Sequence, residues 1–558
     1  MATIKAVKFD DDAPEIIRAT VPHGTNWPVV YIINGDTEAY VGETVSASNR
    51  ASQHLKNPER RNLDTMNIIS DDDFNKSVIL DLESYLINYM TADGRFKLQN
   101  SNRGMQLHDY YDRLSYEKNF EYIWGQLKHV GLVVNSVGEI QNSDLFKYSP
   151  FKALSFDQYI VVSQLLETLA RDKAHGTKST LLVEGCAGTG KTVLAIYLAK
   201  LLTESGKEIL GFDIDGDPDA SLDSISYNLK KIGSMKVGLV VPMQSLRKTI
   251  KKVFGNLKGL KKGMVISPMD VPKDHYDLLI VDEAHRLRQR KALSHYPSFD
   301  ANNKKLGYDN SGTELDWILQ CSDEQLLFYD SGQSVKPSDI DSSYFDKVFS
   351  APNVKKFRLT SQFRCNGGNE YIEYVRSIFS DKPPAPMCPN CYDFRIFDNV
   401  EEMVQAIKQK DAELGLCRTV AGYSWKWKTK NNATPGSYDI EIDGHKYLWN
   451  SDYVDWVNTP NSINEIGCIH TIQGYDLNYA GVILGNEIKF DETNGRITVD
   501  KSKYQDLQGK TALDNGEASL REYIENIYVT LMTRGIQGTY VYACDPTMKK
   551  YLEGYIQK

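Results

Sequence analysis

Short apolar runs rich in β-branched residues alternate with longer segments of helical periodicity across residues 181–545. This alternation is typical of parallel strands that are connected by helices. The runs that we interpret as strands are TLLVEG, VGLVVP, DLLIVDE, QLLFYD, GCIHTI, YAGVIL and TYVYACD. The pattern therefore predicts an α/β fold for this part of the chain.

The N-terminal segment has a different pattern. Residues 1–105 contain their own pair of strands, a helix and an acidic loop, and residues 103–124 are predicted to form a helical connection. We place a boundary near Met105, where the first pattern ends. The predicted order is a small α+β domain, a helical connection and two parallel-sheet domains, at residues 1–105, 106–153, 154–348 and 349–558.

Composition and charge narrow the function classes. The 558 residues are 41% hydrophobic and 25% charged, with a net charge of −9, which is typical of a soluble protein and excludes a surface that is basic throughout. No apolar run approaches the roughly 18 residues of a membrane span, and the acidic start at residues 10–12 is unlike a signal peptide. Eight scattered cysteines suit a reducing compartment. We therefore expect a cytoplasmic protein with no membrane partner.

One basic run is a candidate surface for nucleic acid. Residues 247–262, RKTIKKVFGNLKGLKK, carry seven basic residues and no acidic one. Because the net charge is negative, contact with a polyanion requires a local concentration of this kind. A solvated helix face explains the run equally well, and both interpretations stay open.

The strongest chemical signal is the segment LLVEGCAGTGKTVLAIYLAKLL. Its phosphate-binding pattern consists of Gly185, Gly188, Gly190, Lys191 and Thr192, placed after an apolar strand and before an apolar helix. Glycines let backbone N–H groups close around phosphates, lysine reaches the β- and γ-phosphates, and the threonine hydroxyl is a ligand for Mg²⁺. This spacing in this position predicts a nucleotide site.

A second segment, DLLIVDEAH, supplies the companion of that loop. An apolar strand ends in Asp282, an expected metal ligand, and Glu283, which is expected to orient or deprotonate the attacking water. The two segments together predict ATP hydrolysis with ATP and Mg²⁺ as ligands.

Weaker signals follow in a fixed order along the chain. The segments are LSFDQ with Gln158, VVPMQSLRK, LLFYDSGQ with Gln333, TSQFRCN with Arg364, IHTIQGYD with Gln473 and Asp476, and YVTLMTRG with Arg534. In this order they resemble superfamily-one helicases, and in particular the Schlafen group 3 DNA/RNA helicase domain, across residues 154–545.

The helicase resemblance implies two RecA-like domains that sandwich ATP. It assigns adenine recognition to Gln158, and Asp330 and Gln333 are suited to sensing the γ-phosphate. It also places Gln473 and Asp476 near the nucleotide cleft. Arg364 and Arg534 would be the arginines that the second domain contributes to the site of the first. Such arginines stabilise charge on the departing γ-phosphate.

The N-terminal strand pair carries a second resemblance. The triplet Val29, Val30 and Tyr31 is followed by Tyr40, Val41 and Gly42, then by Arg50 and His54, by Glu83 on an apolar helix, and by Asn100 and Asn102. This series resembles the GIY-YIG nuclease module, although two valines replace its first glycine and isoleucine.

The nuclease resemblance implies roles for these residues. Tyr31, Tyr40 and Arg50 would surround the scissile phosphate, and Glu83 would bind Mg²⁺ or Mn²⁺. We expect Tyr31 or Tyr40, with a lowered pKa, to take the proton of the attacking water, and His54 to be an alternative base or a phosphate contact. An inactive hairpin with two packed tyrosines is the competing interpretation.

Two further segments leave alternatives open. CPNC, with Cys388 and Cys391, is half of a zinc knuckle without a second cysteine pair at zinc spacing. GYSWKWKTKNN, from Gly422, combines two tryptophans with lysines and could stack bases or form a strand with a polar edge.

The sequence as a whole predicts a metal-dependent endonuclease fused to a helicase-like or translocase-like ATPase. We expect nucleic acid as its partner, DNA ahead of RNA, and the resemblance suggests a place in bacterial anti-phage defence. Homo-oligomerisation and a defence-system partner protein stay open. The alternative function is a nucleotide-gated switch whose N-terminal module recognises nucleic acid without cutting it.

Overall fold

The structure is a computed structural model of the full chain. It describes residues 2–100, 113–148, 154–186, 188–204, 220–257, 259–293, 295–330, 333, 338–360, 365–386, 392–430, 436–452, 455–472, 475–506 and 517–558. The chain forms two compact units. The first consists of residues 1–166, 196–234 and 250–262, and the second of residues 167–195, 235–249 and 263–558.

The first unit contains a mostly antiparallel sheet in its N-terminal part. Its described strands are β1 (Thr3–Lys8), β2 (Val29–Asn34), β3 (Glu38–Thr44), β4 (Thr65–Ser70) and β5 (Lys97–Leu98). Their order is β1-β4-β2-β3-β5, and the short β5 is parallel to β3. Alternate residues of β2, namely Val29, Tyr31 and Ile33, enter one apolar core, as the period of a strand requires.

Helices cover this sheet and extend beyond it. They are α1 (Ala13–Thr20), α2 (Ala47–Leu55), α3 (Lys76–Asp93), α4 (Arg113–His129), α5 (Val137–Asn142) and α6 (Asp144–Lys147). Helix α3 begins where the Asn75 side chain accepts from the Val78 N–H, and it ends at Gly94 in the left-handed conformation.

The helical connection packs on the same helix, α3. The Tyr89 ring lies 4.7 Å from that of Phe120 and 5.7 Å from that of Trp124. The carboxylate of Asp93 accepts from the backbone N–H of Asn135 at 2.7 Å. The connection is therefore fixed to the helix that carries Glu83.

The next part of the chain contains a parallel sheet. Its elements are α7 (Phe156–His175), β6 (Thr180–Gly185), α8 (Lys191–Glu204), α9 (Ala220–Ile232), β7 (Val237–Val240), α10 (Gln244–Asn256), β8 (Val265–Ile266), β9 (Tyr276–Val281), α11 (Tyr296–Leu306), α12 (Glu314–Gln320), β10 (Ser322–Tyr329), α13 (Ser342–Phe349) and β11 (Val354–Leu359). The strand order is β11-β6-β10-β9-β7-β8. Every described pair in this sheet is parallel.

The second unit also contains a second, larger sheet. Its elements are α14 (Gly368–Ile378), β12 (Asp393–Ile396), α15 (Val400–Leu414), β13 (Cys417–Ala421), β14 (Ile440–Ile442), β15 (His445–Trp449), β16 (Glu465–Cys468), α16 (Ile469–Ile472), β17 (Leu477–Leu484), β18 (Ile488–Asp491), β19 (Arg496–Val499), α17 (Glu517–Met532), β20 (Gly535–Ala543) and α18 (Pro546–Leu552). The order is β12-β20-β17-β13-β16-β15-β14, with β14 antiparallel and β18-β19 a separate hairpin.

The prediction of an α/β fold with parallel sheets is confirmed. One predicted strand is wrong in its second half, because GCIHTI is a strand only to Cys468 and then turns into α16. The Thr471 hydroxyl accepts from the Cys468 N–H at 3.1 Å and donates to the Cys468 carbonyl at 3.0 Å. These bonds replace ladder bonds and end the strand. The four predicted domain boundaries stay a prediction, and Met105 lies outside the described residues.

Candidate functional site

The phosphate-binding loop connects β6 to α8. Gly188 and Gly190 have φ values of 86° and 79°, a region that glycine adopts without strain. A Cβ added to Gly185 would stand 2.6 Å from the Thr189 hydroxyl, so this glycine is needed for space. Helix α8 then begins at Lys191, and its N-terminus favours an anion.

Lys191 is buried in this loop, with 5% of its surface exposed. Its ammonium donates to the carbonyls of Gly185 at 2.6 Å and Cys186 at 2.8 Å, and it lies 3.6 Å from the Asp330 carboxylate. Burial alone would raise the pKa of Asp330, but the Lys191 charge and its other neighbours bring that pKa below its usual value. The loop therefore holds a buried cation beside an ionised carboxylate.

Thr192 and Asp282 meet at the ends of α8 and β9. The Thr192 hydroxyl donates to the Asp282 carboxylate at 2.8 Å. Asp282 is fully buried, and burial together with the adjacent Glu283 raises the pKa of Asp282. The described residues hold no group of three or more His, Cys, Asp or Glu side chains placed to bind a metal ion. Two oxygen donors nevertheless fit Mg²⁺, which takes most of its other ligands from phosphate and water.

Glu283 follows in an uncommon backbone conformation, with φ 52° and ψ 49°. Its carboxylate lies 2.9 Å from the buried His285 ring. Burial acts to raise the pKa of Glu283, but His285, Lys191 and Arg534 lower it further than burial raises it. An ionised carboxylate with a low pKa is better suited to orienting a water molecule than to removing its proton.

Gln333 and Arg534 extend the site toward the larger sheet. The Gln333 amide donates to Asp330 at 2.6 Å, and the Arg534 guanidinium donates to the Gln333 side-chain carbonyl at 3.2 Å. Arg534 lies between α17 and β20 and is 2% exposed. Lys191, Asp330, Gln333 and Arg534 thus form one continuous polar chain.

The structure places the remaining predicted nucleotide-site residues as follows. Asp476 is half-buried just before β17, whose first residue, Leu477, donates to the Arg534 carbonyl at 3.1 Å. Gln158 is buried at the start of α7 in the first unit, and its side-chain oxygen accepts from the Ser155 N–H at 3.1 Å. Arg364 and Gln473, like Cys388 and Cys391, lie outside the described residues.

Comparison with known families identifies the region that contains this candidate site. Residues 178–545 match the family described as Schlafen group 3, DNA/RNA helicase domain. The chain belongs to this family. Residues 178–545 are therefore a helicase-like ATPase domain, for which a nucleotide and usually Mg²⁺ are the ligands.

The chain is also similar to individual proteins and to solved structures. The uncharacterized protein YPL245W of Saccharomyces cerevisiae is 27% identical over 412 residues, which are 66% of this chain and 83% of that protein. The arterivirus nonstructural protein 10 (helicase) is 13% identical, with a TM-score of 0.28, over 67% of this chain and 61% of its own. The Pif1 helicase from Bacteroides in complex with ADP-AlF3 and ssDNA is 12% identical, with a TM-score of 0.24, over 68% of this chain and 91% of its own. At these TM-scores the solved structures carry no argument about this chain.

A second polar cluster lies in the N-terminal sheet, before the matched helicase domain. Tyr31 is fully buried on β2, and its hydroxyl lies 2.8 Å from Nε2 of His54. The Arg50 Nε donates to the same hydroxyl at 3.2 Å. Helix α2 therefore aims both of its predicted site residues at the tyrosine of the first triplet.

Tyr40 completes this aromatic group. Its ring lies 5.0 Å from the His54 ring and 6.3 Å from the Tyr31 ring. Gly42 pairs with Tyr31 across β2 and β3, and a Cβ at position 42 would stand 2.2 Å from the Tyr31 hydroxyl. The glycine of the second triplet thus makes room for the tyrosine of the first.

Glu83 and Asn100 lie around this cluster. Glu83 is half-buried on α3, and its negative charge is among the causes that raise the pKa of Tyr31. Asn100 accepts from the Val41 N–H at 3.0 Å and donates to the Val41 carbonyl at 2.8 Å. The structure therefore brings Tyr31, Tyr40, Arg50 and His54 into contact, while Asn100 fixes the strand of the second triplet and Asn102 lies outside the described residues.

The expectation of a lowered tyrosine pKa is wrong for Tyr31. Burial, followed by the nearby Tyr40, raises the pKa of Tyr31 well above its usual value, and Arg50 offsets this only in part. Burial and the charges of Arg50 and Arg60 lower the pKa of His54 to about 3. At neutral pH the pair is therefore a neutral phenol beside a neutral imidazole.

Arg60 is a residue of this cluster that sequence reasoning missed. Its guanidinium carbon lies 4.0 Å from the centre of the Tyr40 ring. It follows α2 in a 3-10 turn, Pro58–Arg60, and it lies six positions after His54 in the sequence. A basic residue shortly after α2, the helix that carries Arg50, was the one sequence signal for Arg60.

Proposed function

We propose that this chain is a nucleic-acid-processing enzyme that joins a metal-dependent GIY-YIG endonuclease at residues 1–105 to a helicase-like or translocase-like ATPase. DNA is the preferred substrate. The observation that carries the motor is the polar chain from Lys191 through Asp330 and Gln333 to Arg534, because it joins the phosphate-binding loop to an arginine of the other sheet. The observation that carries the nuclease is the contact of Tyr31 with Arg50 and His54.

In the motor, each residue has a separate task. Lys191 leaves its two loop carbonyls for the β- and γ-phosphates, and the N-terminus of α8 receives the anion. Thr192 and Asp282 would hold Mg²⁺, which when bound neutralises phosphate charge. Glu283 orients the attacking water, and Arg534 stabilises the charge that develops as the γ-phosphate leaves. Arg364 is proposed to share this task, and Gln158, Gln473 and Asp476 are proposed to line the nucleotide cleft.

Hydrolysis is proposed to change the contact between Arg534 and Gln333. Gln333 bonds to Asp330, and Asp330 faces Lys191, so loss of the γ-phosphate alters the charge balance at one end of this chain. The hydrogen bond between Arg534 and Gln333, at the other end of the chain of contacts, changes as a result. A cycle of this kind moves a motor along nucleic acid or opens and closes a gate.

In the nuclease, Arg50 binds the non-bridging oxygens of the scissile phosphate. Tyr31 passes its hydroxyl proton to Nε2 of His54 and takes a proton from the attacking water in exchange. The water oxygen bonds to phosphorus while the P–O bond to the leaving oxygen breaks, and solvent protonates that oxygen. The bound anion offsets the positive charges near His54 and so raises its pKa toward a useful range. Glu83, with phosphate and water oxygens, fits a single-carboxylate site for Mg²⁺ or Mn²⁺, which when bound stabilises the leaving oxygen.

A second candidate function is a nucleotide-gated switch that binds nucleic acid without cutting it. The observation that favours it is the pair of pKa shifts, because neither Tyr31 nor His54 is prepared to act as a base before a ligand binds. The two functions share every proposed phosphate contact. They differ in whether a phosphodiester is broken.

The test is cleavage of plasmid, linear, branched and single-stranded DNA and of RNA, with Mg²⁺ or Mn²⁺ and with or without ATP. Three variants accompany the wild type: Glu83→Gln, Lys191→Ala, and Glu15→Gln as a matched loss of an exposed carboxylate on α1. We expect cleavage by the wild type and by Glu15→Gln, and none by Glu83→Gln. If Glu83→Gln cuts at the wild-type rate, the nuclease assignment fails, and if no substrate is cut while binding persists, the switch is correct.

A place in bacterial anti-phage defence is part of this proposal, since a DNA-cutting domain joined to a motor suits attack on invading DNA. No described helix is long and apolar enough to cross a membrane. Protection of a host strain against phage, compared between the wild type and the Glu83→Gln and Lys191→Ala variants, tests the role. Self-association and a partner protein are tested by mass measurement of the purified complex.

A further inference from the structure

Arg60 is a buried arginine at the edge of the N-terminal aromatic cluster. It is 7% exposed, and its guanidinium stands over the Tyr40 ring at 4.0 Å. The Tyr40 ring in turn contacts the His54 ring. Arg60 therefore reaches the same cluster as Arg50 from a different element, the Pro58–Arg60 turn.

The contacts of Arg60 leave part of its hydrogen-bonding capacity unused. Its Nη1 donates to the Gln99 side-chain oxygen at 2.6 Å, and Gln99 donates to Glu38 at 2.7 Å. Its nearest carboxylate is Glu59 at 3.8 Å, and that side chain is 65% exposed, so solvent weakens the pair. The buried Nε of Arg60 has no hydrogen-bond partner among the described residues. A buried donor without a partner is unfavourable, so an oxygen of a ligand placed there would be bound favourably.

The charges around the cluster point to an anion. Both Arg50 and Arg60 lower the pKa of His54, so two guanidinium groups act on a single neutral ring. Gln99, the hydrogen-bond partner of Arg60, is neutral, and the Glu59 carboxylate 3.8 Å from Arg60 is largely exposed to solvent. A phosphodiester oxygen would accept from the buried Nε of Arg60, and guanidinium N–H groups match phosphate oxygens in geometry.

We propose that Arg60 is a second phosphate-binding residue of the N-terminal site, and that a nucleic-acid backbone passes between Arg50 and Arg60. This inference rests on the proposed nucleic-acid function of the same site. The competing role for Arg60 is packing alone, since a cation over an aromatic ring stabilises a fold by itself.

The experiment measures the salt dependence of DNA binding by the full chain. All proteins carry Glu83→Gln so that nothing is cut, and fluorescence anisotropy follows a labelled DNA duplex without nucleotide. The slope of log affinity against log salt changes by about 0.9 for each duplex phosphate contact. We expect Arg60→Gln and Arg60→Met to flatten the slope by about this amount and Arg60→Lys to retain it. Arg61→Gln, the adjacent exposed arginine, is the matched control and should leave the slope unchanged.

The outcomes separate the two roles. Arg60→Met keeps an apolar stem over Tyr40. If Arg60 only packs, the melting temperature should be lower in Arg60→Gln, and both variants should keep the salt slope of the parent. That result overturns the proposal. An equal change of the salt slope in Arg61→Gln also overturns the proposal, because general electrostatic attraction by basic residues would then explain the effect.

The proposed function fails separately. If wild-type protein cuts nothing but the Arg60 slope change is present, the cutting activity is refuted and the phosphate contact stands. If the parent binds no DNA at all, both are refuted.

Discussion

Replacing Arg534 by alanine should slow ATP hydrolysis far more than it weakens ATP binding. The guanidinium is 2% exposed and donates to Gln333 at 3.2 Å, so it acts in a region screened little by solvent. With an effective dielectric constant near 20, a unit charge about 4 Å from a developing charge contributes about 4 kcal/mol. That energy corresponds to roughly a thousandfold in rate, at the lower end of the 10³ to 10⁵ range for such arginines.

Single-turnover hydrolysis and a nucleotide titration measure these two effects separately. We expect a loss of about a thousandfold in rate and less than about tenfold in affinity, because the charge is needed mainly in the transition state. Arg534→Lys keeps the positive charge on a shorter side chain, so its hydrolysis rate should lie between those of the wild type and Arg534→Ala. Arg395→Ala, which removes an exposed arginine from the same sheet, controls for loss of a charge and should retain the wild-type rate.

Equal losses of affinity and rate would refute this reasoning, because they would make Arg534 a ground-state contact. A thermal melt checks that the alanine variant is folded, since the side chain is buried. A folded Arg534→Ala protein with the wild-type rate would remove Arg534 from the site altogether.

The remaining predictions concern both sites. Lys191→Ala should abolish ATP turnover, and its melting temperature should fall because the buried Asp330 carboxylate loses the ammonium 3.6 Å away; turnover at the wild-type rate would end the motor assignment. The pKa of His54 in the folded chain is lowered to about 3, whereas in the unfolded chain this histidine binds a proton near pH 6.5. The free energy of unfolding should therefore fall as the pH drops below about 6.5, by up to about 1.4 kcal/mol per pH unit. Urea unfolding at several pH values should show a smaller fall in His54→Gln, and an identical pH dependence would contradict the assignment. Gly42→Ala should lower the unfolding free energy by about 1–3 kcal/mol and abolish cleavage, because its Cβ displaces Tyr31. The control is Gly125→Ala in α4, where a Cβ meets nothing within 4 Å. In the same urea and gel assays this control should keep or raise the unfolding free energy and leave cleavage unchanged.

The local parts of the site could be predicted from the sequence because their chemistry depends on neighbours in the chain. The loop from Gly185 to Thr192 needs glycines and a following helix, and the structure has both. Strands such as β6 and β10 were predictable for the same reason, since an apolar run between turns has few other uses. The turn at Thr471 was not, because a single hydroxyl competing with ladder bonds gives no periodic signal.

Long-range properties could not be obtained in this way. The bond between Arg534 and Gln333 joins residues 201 positions apart, and only the fold brings them together. The raised pKa of Tyr31 depends on complete burial beneath neighbouring rings, which a motif does not report. Arg60 belongs to no motif, and its place over Tyr40 follows from the path of the turn after α2.

The packing of Gly42 against Tyr31 restricts the order in which this hairpin can change during evolution. A larger residue at position 42 would collide with the phenol on the facing strand, so the tyrosine has to be lost or shortened before the glycine can be replaced. A lineage that abandons the chemistry but keeps the sheet should therefore lose the tyrosine first and retain the glycine for some time. Related chains with glycine in the second triplet and a small residue in place of the first tyrosine would then be recent descendants of chains that carried both.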